Sequence, residues 1–68
     1  MTTLYLVIGW NVDTNAKKPY IVIAYSAGDA IREAEREAIA SGFVPGAAHF
    51  GVCDIFRIDE APLVERLF

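Results

Sequence analysis

Sixty-eight residues are enough for one domain, residues 1–68, and leave no room for a second core. A formal net charge of −3 argues against a general binder of nucleic acid or of anionic membranes, both of which need a basic surface. The lone Cys53 excludes a disulfide within the chain and fits a reducing compartment.

Met1-Thr2-Thr3 carries no basic leader and Leu4–Ile8 is too short for a secretory core, so no signal peptide is read. No apolar run reaches membrane-spanning length. The expected location is therefore cytoplasmic. Hydrophobic residues make up 54% and charged residues 22%, which is apolar for a chain with so much surface relative to its interior. A domain of this size is marginal on burial alone, and oligomerisation is one common remedy.

Leu4–Val12 reads as a strand with Leu4, Leu6, Ile8, Trp10 and Val12 on one face and Tyr5, Val7, Gly9 and Asn11 on the other. The more hydrophobic first set is expected to meet the helix. The turn-rich stretch from Asn11 to Lys18 suits a hairpin loop, and Pro19 can open a strand without losing a needed donor. Pro19–Tyr25 is a second, antiparallel strand in which Ile21, Ile23 and Tyr25 alternate with Tyr20, Val22 and Ala24.

The stretch Ser26–Gly42 predicts an amphipathic helix, and the rest of the chain is organised around it. Ser26 and Asp29 have capping-box spacing, and Gly42 is placed for a left-handed C-terminal residue with Phe43 folding back. Ala27, Ala30, Ile31, Ala34, Ala38 and Ser41 form one stripe. Asp29–Arg32 and Glu33–Arg36 are favourable i,i+3 pairs on the opposite side. A stripe so rich in alanine requires close packing on a sheet.

Phe43–His49 reads as a loop turning at Pro45-Gly46. Phe50–Ile58 is a third strand whose broken alternation asks for a bulge near Asp54. In the tail, Pro62 with Leu63, Val64, Leu67 and Phe68 favours a short helical turn over a fourth short strand. The predicted fold is α+β: a three-stranded antiparallel sheet (four-stranded if the tail adds one) with one helix on one face, in the order β-β-α-β.

Coverage then sets the functional expectation. Three strands of about eight residues present a face of about 370 Å², and a four-turn helix shadows about 220 Å² of one side. The tail can fill the remainder of that side, leaving the second side without a cover. Tyr5, Val7, Tyr20 and Val22, joined by Phe56 or Ile55, are expected there as a self-association or partner-binding face, since soluble monomers rarely expose large apolar patches. Ordinary surface tyrosines favoured by strand propensity are the plain alternative.

Chemistry is sparse. His49 and Cys53 stand four apart beside a strand, and a metal site or nucleophile pair needs more partners than this. They read as a loop histidine and a buried thiol. No Gly-rich phosphate loop is present, and Glu33, Glu35 and Glu37 scatter around the helix. Tyr5, Tyr20 and Phe56 invite comparison with RNA-stacking sheets, but only Lys17, Lys18 and Arg57 supply nearby positive charge. No cofactor, metal or catalytic residue is assigned.

The run Ile21-Val22-Ile23-Ala24-Tyr25-Ser26, followed by Ala30-Ile31 and Ala34, resembles small phage- and prophage-encoded β-β-α-β proteins. Some of these are anti-CRISPR or other anti-defence inhibitors. The likeness covers residues 4–58 in layout and this junction in residue pattern, and carries no functional residues over. It implies a non-enzymatic inhibitor that occupies the surface of a host defence complex, in the host cytoplasm.

The expected function is thus a non-catalytic protein-binding module that self-associates as a homodimer or other homo-oligomer. The alternative is a small homo-oligomer holding a small molecule between subunits, with Trp10, Tyr20 or His49 lining the site.

Overall fold

The computed structural model describes residues 2–58. Strand β1 (Thr3–Asn11) is followed by β2 (Lys17–Ala24), helix α1 (Ala27–Ala40), a short 3-10 turn (Ala47–His49) and β3 (Phe50–Arg57). The described strands form one antiparallel sheet in the order β2-β1-β3, with α1 on one face. This is the α+β arrangement expected, in the order β-β-α-β. The expected turn or strand over 62–68 lies outside the described residues.

Local chemistry explains the helix and its limits. Ser26 is the extended N-cap, and its hydroxyl accepts from the Asp29 N–H at 3.2 Å, filling one of the donors a helix start leaves open. The Asp29 carboxylate bonds forward to Arg32. At the other end the Phe43 N–H donates to Ala38 O and the Gly42 N–H to Ile39 O, while Gly42 takes φ +80°. That is the Schellman closure, and it turns Phe43 back onto the core. The expected Glu33–Arg36 pair is present at 3.1 Å.

The face that α1 covers is the reverse of the one expected. Ala30, Ala34 and Ala38 are fully buried against Tyr5, Val7, Tyr20, Val22 and Ala24. Leu4, Leu6, Ile8 and Trp10, expected with Val12 beneath the helix, lie on the other side, where Leu4 pairs with Ile23 and Leu6 with Ile21. Volume decides this. On the covered face the methyl groups of Ala30, Ala34 and Ala38 pack in one cluster with Ala24, while Gly9 leaves room for the Phe50 ring, so the alanine-lined helix can sit close.

The bulge in β3 completes the core. The β1–β3 register shifts between Ile8 and Gly9, so that Ile8 faces Asp54 while Gly9 faces Val52, leaving Cys53 extra. The shift turns Phe50, Val52 and Ile55 toward α1, where they pack against the core. Phe50 crosses Gly9 and meets Tyr20 edge-on at 6.4 Å, and Phe43 meets Tyr20 likewise at 6.3 Å. A Cβ on Gly9 would lie 2.7 Å from the Phe50 ring.

Asn11 is the one buried polar side chain among the described core residues. Its Nδ2 donates to Phe43 O at 2.8 Å, while its Oδ1 accepts from the Asp13 and Thr14 N–H groups at 2.9 and 3.2 Å. One amide therefore shapes the hairpin loop and ties it to the segment after α1. Replacing it by alanine strands the Phe43 carbonyl and two loop donors. Asn11→Ala is expected to lower stability by about 2 kcal/mol, and Gly9→Ala by about 1–2 kcal/mol through overpacking. Urea denaturation followed by far-UV circular dichroism checks both, and the same midpoints as the parent chain would contradict the packing described.

Candidate protein-binding face

The five residues expected on an uncovered face separate in the structure. Tyr5, Val7, Tyr20 and Val22 are core residues beneath α1, and Val7 is wholly inaccessible. Phe56 alone belongs to the opposite side, opposite Leu6 in the β1–β3 register, and is 39% exposed. The expected binding set is corrected accordingly.

No described helix lies over that opposite side. Leu4 is 44% exposed, Ile21 59% and Ile23 63%. The register makes them one strip: Leu4 faces Ile23, Leu6 faces Ile21, and Leu6 faces Phe56 across the central strand. Leu6 and Ile58 are buried within this side, so the exposed strip runs toward β2. Tyr25 continues it past the end of β2 and is 73% exposed.

Farther down the same side, Trp10 lies over Gly51 and donates from Nε1 to Asn15 Oδ1 at 3.3 Å. Trp10, Asn15, Lys17 and Cys53 line an open groove of about 410 Å³. The Cys53 thiol, expected to be buried, is exposed because the bulge puts it there. His49 is a turn residue, and its Nδ1 stands 2.5 Å from Asp13 Oδ2. That contact joins the 3-10 turn to the hairpin loop. His49 thus engages Asp13 in another part of the fold from Cys53. Trp10, Tyr20 and His49, the expected ligand-lining set, occupy the open side, the core and the turn, and are not brought together within one chain.

Among the described residues no three His, Cys, Asp or Glu side chains gather as a metal-binding group. No described helix is long and apolar enough to cross a membrane. The chain matches no protein-family model, no curated protein and no solved structure.

Sequence reasoning expected one apolar side of the sheet to lack a helix but populated that side with the wrong parity. Ala24 was the available signal, because a small residue on a sheet marks where an alanine-lined helix can approach. The Tyr20 hydroxyl is buried beneath α1 and has no hydrogen-bond partner among the described residues. Tyr20→Phe is expected to leave the melting temperature unchanged or higher, since it removes an unsatisfied group without losing the ring. Tyr20→Glu with Val22→Glu is expected to unfold the domain. A folded double variant would put these side chains back on the surface.

Proposed function

We propose that the chain is a non-catalytic protein-binding module whose docking face is the strip Leu4, Ile21, Ile23 and Phe56. The observation that supports this reading is the adjacency of exposed Leu4, Ile21 and Ile23 on a sheet face without a described helix, with exposed Phe56 on the far side of buried Leu6. Exposing isoleucines to water is unfavourable by about 25 cal/mol per Å². A partner that covers them recovers this free energy. Aliphatic side chains on a rigid sheet also bind at little cost in ordering.

The finer reading is an inhibitor that occupies a surface of a host defence complex. What supports it is the β-β-α-β layout together with the apolar strand running directly into a capped helix. Inhibition by occupancy requires a firm apolar face and no reaction chemistry. The strip supplies such a face.

Leu4→Glu with Phe56→Glu places charge at both sides of the strip without touching the α1 core. This variant is expected to keep its far-UV spectrum and to lose a host assembly that the parent protein retains on an affinity column. Retention of the same assembly by the variant would remove the strip from the binding site.

A further inference from the structure

The backbone of β2 carries a second, independent kind of unfilled valence. Asn11 N donates to Ala16 O at 2.9 Å, and these residues continue the register that pairs Trp10 with Lys17. In an antiparallel ladder such hydrogen-bonded pairs recur at every second residue. Gly9–Lys18, Val7–Tyr20 and Tyr5–Val22 are therefore the bonded pairs. Pro19, Ile21 and Ile23 fall in the other phase, with their backbone groups directed away from β1. Pro19 fits this phase because its missing N–H costs the ladder nothing. Since β2 is an edge of the described sheet, the N–H and C=O groups of Ile21 and Ile23 point out of that edge.

The two edges of the described sheet differ. A bulge at Cys53 interrupts β3, and bulges are one way in which natural edges avoid pairing. Lys17, Lys18 and Pro19 protect only the first part of β2. Tyr20–Ala24 carries no charge, no proline and no bulge. Beside its far end, Ile23, Ala24 and Tyr25 join Asp29, Arg32 and Arg36 of α1 around a groove of about 330 Å³. The charged flank of α1 therefore lies along this edge.

We infer that two copies of this chain pair through their β2 edges about a two-fold axis at Val22, making one continuous sheet. The axis sets Ile21 against the partner's Ile23, and Ile23 against the partner's Ile21. Both outward pairs then exchange backbone hydrogen bonds. The lysines fall beyond the paired stretch.

The same axis suits the helices. Val22 lies ~10 Å back along the strand from Tyr25. The midpoint between Arg32 and Glu33 lies ~8 Å along α1 from Ala27, which brings it level with Val22. An antiparallel pair of helices centred there sets Asp29 against the partner's Arg36 and Arg32 against the partner's Glu33. With α1 straddling β1 and β2, the axes end about 10 Å apart, near ordinary helix contact. Strand and helix thus select one operator, and every acid on the flank meets a base. The pairing also joins the exposed isoleucines of both copies into a single larger face. It depends on the outward phase of β2 and not on any foreign partner being found.

Sedimentation equilibrium on the whole chain tests the pairing. The parent protein is expected to show a dimer that dissociates on dilution. Ile23→Pro removes an outward N–H that pairs with no described strand, and is expected to weaken dimerisation by about tenfold or more with the far-UV spectrum kept.

Charge provides a second arm. Arg32→Glu with Arg36→Glu makes the flank wholly acidic, and Asp29→Asn with Glu33→Lys makes it basic. Each double variant alone is expected to be monomeric at concentrations where a mixture of the two forms a heterodimer. A parent chain that stays monomeric would overturn the inference, including one whose Ile21 and Ile23 amides become protected only when another protein is added. So would a dimer that survives Ile23→Pro, or a mixture that does not associate. A dimer lost in Leu4→Glu with Phe56→Glu but kept in Ile23→Pro would show copies meeting face to face, against edge pairing. Loss of host-assembly binding with the dimer intact would instead concern the docking face alone.

Discussion

Close contact between the methyl groups of Ala30, Ala34 and Ala38 and the sheet side carrying Tyr5, Val7, Tyr20, Val22 and Ala24 is the constraint on which the rest depends. A helix lined with alanine gains little from hydrophobic area per residue, so its stabilisation comes from dense packing at short range. Such packing needs room in the opposing surface. Ala24 provides it where the chain turns into the helix, and Gly9 separately makes room for the Phe50 ring. Once α1 is seated there, the sheet's other side has no described helix over it.

Polar groups fix the remaining geometry. Asn11 reaches from the hairpin to the Phe43 carbonyl, and the Schellman closure at Gly42 aims Phe43 at Tyr20. The bulge at Cys53 restores the inward parity of Phe50 and Val52. Each device is small, and together they position the three aromatic rings that close the core beyond the end of the alanine stripe. The outward consequence is an exposed run of isoleucine on β2, whose backbone groups in the same phase point out of the edge of the described sheet. Side-chain exposure and edge valence thus coincide at Ile21 and Ile23.

The elements legible in the sequence are those set by local chemistry. The cap at Ser26, the left-handed Gly42, the i,i+3 ion pairs, the hairpin and the order β-β-α-β all depend on residues close together in the chain. The choice of face was not legible, because β1 and β2 are apolar on both sides and alternation alone cannot rank them. Hydrophobicity favoured Leu4, Leu6, Ile8 and Trp10, whereas fit favoured the side with Gly9 and Ala24. That single inversion moved Tyr5, Val7, Tyr20 and Val22 from the expected binding face into the core and left Phe56 in place. The role of Asn11 was hidden for a different reason: its partner lies 32 residues away. Cys53 became exposed because the position of the bulge, foreseen only near Asp54, set its direction.

Nuclear Overhauser contacts between assigned methyl groups test the central claim directly, because they report which side of the sheet the alanine stripe touches. Strong cross-peaks are expected from the Ala34 methyl to Val7 and Val22, with none to Leu4, Leu6, Ile21 or Ile23. Cross-peaks from Ala34 to Leu6 and Ile21, with none to Val7, would contradict it.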